Sequence, residues 1–184
     1  AVLLVRKRGQ FMQEAAQKNK GAMASIIGLS KEIVAKICNE AGVQIANLNC
    51  PGQVVISGSA EGVAKAVELA KANAGAKAIM LNVSGAFHSK YMQEAGQRLI
   101  VEFAKIKFNS LKFPVAANVS AEYYKDASEI KDKLIAQVSG SVLWEDSMRL
   151  MVKDGITTFM EIGPGTVLKG LARRIDSNIK VYNL

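Results

Sequence analysis

Apolar residues near the start of the chain recur at helical spacing. At ~100° per residue, Leu4, Val5, Phe11, Met12, Ala15 and Ala16 share one face, and Arg6, Lys7, Gln10, Gln13, Glu14 and Gln17 fall on the other. The pattern predicts a helix over residues 1–17. It has no methionine, N-cap or lead-in before it, so a fragment of a longer protein is expected. Residues 21–28 (GAMASIIG) are a short apolar run bounded by glycines and predict a strand. Ser30 then sits where an N-cap would, ahead of a helix over 31–41. Two further strands, 43–48 and 53–58, flank the turn residues Asn49-Cys50-Pro51-Gly52. Ser59 caps a second helix to about residue 73, and a strand follows over 76–83.

This β-α-β-β-α-β order over residues 21–83 is that of a ferredoxin-like unit. Beyond it, the pattern predicts a helix from His88 or Ser89 to about residue 106. It continues with a strand over 114–119, a helix from Ser128 to about 138, and mostly helix over 141–154. A buried strand over 156–162 (ITTFMEI), a turn at Gly163-Pro164-Gly165, a helix over 167–175 and a strand over 179–182 complete the chain. Alternation of strand and helix implies parallel pairing through helical crossovers. The expected organisation is therefore an α/β core, residues 1–20 and 84–184, carrying residues 21–83 as an inserted subdomain.

Composition changes this picture little. Of 184 residues, 49% are hydrophobic and 22% charged, as in a soluble globular protein, and no run approaches the ~20 apolar residues a membrane span needs. Cys38 and Cys50 lack metal-ligand spacing and read as buried reduced thiols of a cytoplasmic protein. With one histidine and no clustered carboxylates, no metal site is expected. The net charge of +8 favours an anionic partner. Aromatic residues are only 6%, and neither a stacking platform nor a zinc-finger signature is present, so nucleic acid is not expected to be that partner.

Three places carry candidate chemistry. Arg8 lies within the apolar stripe of the first helix, and that face holds no carboxylate. An interior guanidinium needs a partner, either a structural carboxylate from elsewhere or a ligand carboxylate gripped in bidentate fashion. His88 follows a strand and the small residues Ser84, Gly85 and Ala86, a location where ligands gather in α/β proteins. It is either a structural histidine or a proton shuttle. Glu161-Ile162-Gly163-Pro164-Gly165 is a strand-to-helix turn with amides able to hold an anion, or simply a turn.

These features occur together in one family. Arg8 to Ala15 (RGQFMQEA) resembles the RGxxMQEA helix of malonyl-CoA:acyl-carrier-protein transacylases. Gly21-Ala22-Met23 followed by IIGL resembles their GAMxAIxGL strand, and residues 47–58 resemble their N-x-N-x-P-x-Q-x-V-I-S-G hairpin. Ser84-Gly85-Ala86-Phe87-His88-Ser89 resembles the catalytic-histidine segment, and residues 161–171 (EIGPGTVLKGL) the closing turn and helix. The resemblance implies an α/β-hydrolase-like parallel-sheet core with the ferredoxin-like subdomain inserted. It also implies malonyl transfer from malonyl-CoA to the phosphopantetheine thiol of acyl carrier protein, in fatty acid biosynthesis, through a malonyl-serine. His88 would be the acid/base, Arg8 would bind the malonyl carboxylate, and the Gln137 carbonyl would orient the histidine. Phe87 would favour malonyl over methylmalonyl, and Asn49 would line the pocket.

Malonyl-CoA enters as substrate, and no cofactor is implied. The expected partner is an acidic acyl carrier protein, met by a basic surface that includes Lys71, Lys77 or Arg173, and the enzyme is expected to be a monomer. The family's G-H-S-x-G nucleophile segment does not occur in these 184 residues, so the chain alone is expected to be inactive. Two other readings stand beside this one. The first is an acyltransferase module of a polyketide or multifunctional fatty-acid synthase. The second is a non-catalytic ferredoxin-like binding module, in which Arg8 and His88 would be far apart and separately satisfied.

Overall fold

A computed structural model describes all 184 residues. The opening helix, α1, runs Val2–Lys18. The next segment alternates as the sequence predicts: β1 Ala22–Ile27, α2 Lys31–Ala41, β2 Gln44–Cys50, β3 Gln53–Gly58, α3 Ala60–Lys71 and β4 Lys77–Met80. Local hydrogen bonds account for the helix starts. Ser30 Oγ accepts from Ile33 N and Ser59 Oγ from Gly62 N, each relieving a first-turn amide. Gly42, at φ 69°, closes α2 in the left-handed conformation that glycine adopts at least cost.

The strands form a sheet in the order β4-β1-β3-β2, antiparallel throughout, and β7 (Val142–Leu143) extends it in parallel beside β2. Register decides the two faces. Ala24, Ile26, Val54 and Ile56 pack with Val34, Ile37, Val63 and Val67 of the two helices, forming the largest core. Met23 and Val55 face the other way, where Ala46, Leu81 and Phe87 cover them. Strand β2 is irregular at Ile45/Asn47 and again at Leu48/Cys50. The first irregularity re-phases the strand, so that Ala46 packs on the far face while Leu48 lies in the helix-facing core.

The remaining elements are α4 Gln93–Ala104, β5 Ala116–Ala117, β6 Glu122–Tyr123, α5 Ala127–Ser139, α6 Trp144–Lys153, β8 Thr158–Glu161, α7 Val167–Ile175 and β9 Lys180–Asn183. Helices α1, α4 and α5 share a second core of Met12, Ala15, Ala16, Met92, Leu99, Phe103 and Val138. Helices α6 and α7 pack with β9 and Cys50 around Met148, Leu171, Ile175 and Val181. Both cysteines are buried free thiols. No helix is long and apolar enough to cross a membrane.

Several boundaries differ from the sequence pattern. The strand predicted over 114–119 shrinks to Ala116–Ala117, paired with an unpredicted two-residue β6. Helix α5 starts one residue earlier than predicted, at Ala127, where the Asp126 side chain caps it by accepting from Ser128 N and Glu129 N. The helix predicted from residue 141 begins only at Trp144, since Val142 and Leu143 are drawn into the sheet by β2. Parallel pairing is limited to β2/β7 and β8/β9, so the fold is α/β with a mixed main sheet. The segment predicted as a buried strand over 156–162 is open on one side, with Met160 55% and Ile162 80% exposed.

Candidate active site

Small residues bring the histidine segment against α1. A Cβ on Gly85 would lie 2.4 Å from Ala16 Cβ, and one on Gly21 would lie 2.6 Å from Ala86 Cβ, so neither position has room for a side chain. Ser84 Oγ donates to Gln13 Oε1 at 3.0 Å, adding a polar tie to the same helix. Buried Ser89 donates to Ala86 O at 2.6 Å and accepts from Tyr91 N, the first turn of a short 3₁₀ segment, Lys90–Met92, that leads into α4. Lys90 N donates to Gln44 Oε1 at 2.8 Å, which ties the segment to β2. His88 therefore precedes its helix by several residues. It is held at φ 55°, a left-handed conformation that costs a non-glycine residue energy unless its surroundings fix it.

The ring is fixed by the end of α5. His88 Nδ1 lies 3.1 Å from Gln137 O and 3.2 Å from Gly140 O. A helix's last carbonyls lack intrahelical partners, and Gln137 O is one of these. Both neighbours can only accept, so Nδ1 carries the proton. In the neutral ring that leaves Nε2 with its lone pair free, as a general base requires. Burial lowers the His88 pKa below its ordinary value. The two carbonyl acceptors oppose that shift, and the positive charge of Arg8 adds to it.

Arg8 is half-buried on α1. Lys7 pairs with Glu102 and Lys18 with Glu94, both across to α4, and Glu14 pairs with Arg98. No carboxylate in the chain pairs with Arg8, and burial alone lowers its pKa, with no anion to offset it. The structural partner that the sequence left open is therefore not supplied by these 184 residues. Arg8 borders an apolar cavity of about 390 Å³ lined also by Leu4, Val5, Phe103, Phe108 and Leu134.

The structure thus joins His88 to Gln137 by a hydrogen bond, while Arg8 acts on the ring through its charge and borders a cavity that His88 does not line. Phe87 bridges the sheet face at Met23 and Val55 to the core around Met12. Asn49 lies half-buried in the irregular part of β2, and no hydrogen bond joins it to His88, Arg8 or Gln137. Sequence reasoning missed Gly140 as a partner of His88 and the bond between Ser84 and Gln13. A glycine just past a predicted helix was the only available signal, and it pointed to Gly140.

At the turn over 163–165, Gly163 N donates to Leu184 O at 3.3 Å, and the first amides of α7 are met from within the chain. Glu161 itself accepts from Leu168 N at 2.9 Å, Lys169 N at 3.0 Å and Asn183 Nδ2 at 2.8 Å, so its own carboxylate caps α7.

Comparison with known proteins places this geometry. The acyl transferase domain family matches residues 1–184. The chain is 45% identical over 185 residues to the malonyl CoA-acyl carrier protein transacylase of Bacillus subtilis, covering 98% of the chain but 58% of that protein. Among solved structures, it superposes on an acyl carrier protein S-malonyltransferase from Vibrio cholerae with a TM-score of 0.95 at 39% identity, covering 100% of the chain and 61% of the other. It also superposes, with a TM-score of 0.94 at 38% identity, on a malonyl-transacylase in complex with its type II PKS acyl-carrier protein, covering 100% of the chain and 60% of the other. The chain thus spans less than two thirds of the relatives it matches.

Proposed function

The chain belongs to the acyl transferase domain family, and we propose that it supplies the acid–base and carboxylate-binding part of a malonyl-CoA:acyl-carrier-protein transacylase of fatty acid biosynthesis. The observation that carries the proposal is the pair of carbonyls on His88 Nδ1, set near an arginine with no anionic partner. An Arg8 without a carboxylate partner does not fit the non-catalytic reading, which needs Arg8 and His88 to be separately satisfied.

In this reading, a serine supplied from outside the chain is the nucleophile, since no G-H-S-x-G occurs here. His88 Nε2 takes the serine proton as Oγ attacks the thioester carbonyl of malonyl-CoA. The imidazolium then returns that proton to the departing CoA sulfur, leaving a malonyl ester on serine. In the second half, Nε2 takes the proton of the phosphopantetheine thiol. The thiolate attacks the ester, and the serine oxygen leaves with the proton. The ring is cationic twice in each cycle. The carbonyls at the end of α5 stabilise that cation by accepting from Nδ1–H, as a triad carboxylate would with a full charge.

Arg8 binds the malonyl carboxylate by charge-assisted hydrogen bonds, each worth about 1.5–3 kcal/mol. Phe87 and Asn49 line the acyl pocket. Exposed Lys77 and Arg173 are candidate contacts for an acidic carrier protein, and Lys71 is partly neutralised by Glu68 at 3.0 Å. The β4-β1-β3-β2 order supports reading residues 21–83 as a ferredoxin-like subdomain set into an α/β-hydrolase-like core formed in part by 1–20 and 84–184. The reaction needs no cofactor beyond its substrates, and we assign it to the cytoplasm and to a monomer.

The test is transfer of labelled malonyl from malonyl-CoA to holo-acyl carrier protein. A protein joining this chain to a G-H-S-x-G segment is expected to transfer, the 184 residues alone are not, and His88→Ala should lower the rate at least ~10²-fold. Transfer by the 184 residues alone would contradict these roles.

A further inference from the structure

Gln137 enters the site through its backbone, yet its side chain makes a separate set of bonds to the same turn. Nε2 donates to Gly140 O at 3.1 Å and to Ser141 O at 3.3 Å. Those two acceptors fix which way the carboxamide points, because the flipped group would set Oε1 against two carbonyl oxygens. Oε1 is left buried without a partner, so the side chain is held in place by its donor end alone.

Gly140 O is shared. It accepts from Gln137 Nε2 and also lies 3.2 Å from His88 Nδ1. The peptide that carries it is confined: a Cβ on Gly140 would lie 2.8 Å from Ala136 O and 2.9 Å from Val119 Cγ2. The next residue anchors the turn to the sheet, Ser141 Oγ donating to Ile45 O at 2.6 Å. The turn after α5 is thus tied to its own helix by Gln137, to β2 by Ser141, and to the histidine by its carbonyl.

We propose that the Gln137 carboxamide is a positioning group for His88: it holds the turn after α5 so that Gly140 O joins Gln137 O in facing Nδ1–H. One acceptor leaves an imidazole free to swing about a single hydrogen bond. Two acceptors on different residues fix both the tautomer and the direction of Nε2. This deepens the acid–base reading of His88 and rests on that reading for its place in catalysis, but the geometry is testable without turnover.

No substitution removes the backbone carbonyl of residue 137, so Gln137→Met, similar in volume and lacking the amide donor, isolates the side chain. His88 is the chain's one histidine, and ¹⁵N spectra of its ring report a single site. The unaltered chain should hold the neutral ring as the Nδ1–H tautomer with a slowly exchanging proton. In Gln137→Met, with the far-UV circular dichroism unchanged, exchange should quicken about tenfold, the factor that loss of one hydrogen bond of ordinary net strength allows, and the Nε2–H tautomer should appear. Ser141→Ala, which cuts the tie to β2 and leaves the carboxamide in place, should keep the Nδ1–H tautomer.

An unchanged ring in Gln137→Met, or an equal change in Ser141→Ala, would overturn the proposal. If Gln137→Met does not fold, the side-chain amide protons of Gln137 in the unaltered chain decide: protection from exchange supports the clamp, and exchange at the solvent rate refutes it. Failure of malonyl transfer by the protein that joins this chain to a G-H-S-x-G segment, with these signals as expected, would instead sink the transferase reading alone.

Discussion

His88 can act as a base only while its ring is neutral, and three influences set the pH at which that holds. Burial lowers the pKa most, the carbonyls of Gln137 and Gly140 raise it, and the charge of Arg8 lowers it again. The folded pKa therefore lies below the ordinary ~6.5 of histidine. Acylation should rise with pH below that value and level off by neutrality. The sign for stability follows. Between the folded pKa and about 6.5, the unfolded chain binds more protons, so stability rises with pH across that window and is lost as pH falls through it. In the proposed role of Arg8, a bound malonyl carboxylate would offset the arginine charge, so the pKa seen in kcat should exceed that seen in kcat/KM. Arg8→Leu should raise the free-protein value, measured by titrating the single histidine. An equal pKa in both profiles would place Arg8 away from the acyl carboxylate. Arg8 was legible from the sequence because a charge inside an apolar stripe is a local anomaly. The second acceptor, Gly140 O, was not, because a backbone carbonyl carries no residue-type signature.

At the scale of elements, the critical contact is between α1, which carries Arg8, and the segment that carries His88. Their distance is set by Gly85 against Ala16, where a Cβ would come within 2.4 Å. Gly85→Ala must therefore push the segment off the helix. The expected cost is about 1–3 kcal/mol of stability by denaturant unfolding, with a larger proportional loss of transfer in the protein that joins this chain to a G-H-S-x-G segment, because His88 moves. A fully stable, fully active variant would show that the two elements are not held in register by this contact. Helix α2 was readable to the residue, since its serine cap and closing glycine act locally, and the bounds of α7 were readable too, although its N-cap Thr166 makes no side-chain cap bond. The irregular phase of β2, the capture of Val142–Leu143 by that strand and the two-residue pairing of β5 with β6 were not, because each depends on a partner strand distant in sequence. Glu161 was visible as part of a motif, but its work as the cap of α7 emerges only when Leu168 N and Lys169 N are seen to converge on it.

Over the whole molecule, the sheet and its two helices are closed around their core, while other apolar surfaces are open. Met160, Ile162, Val167 and Leu184 near the β8/β9 pair, and Val2, Leu3 and Val5 on α1, all remain well exposed. The apolar run at 156–162 predicted burial because periodicity reports what a segment can bury, not whether a partner lies in the same chain. The proposed chemistry starts from three observations: a histidine whose Nδ1 faces two carbonyls, an arginine without a carboxylate, and no serine motif. The most direct test of that account is competition between malonyl-CoA and acetyl-CoA for acylation of a protein that joins this chain to a G-H-S-x-G segment, with and without Arg8→Ala. The account predicts that Arg8→Ala lowers malonyl uptake about 10–10³-fold, as loss of a charge-assisted pair should, and leaves acetyl uptake equal or higher. Equal loss for both acyl groups, or none for malonyl, would contradict it.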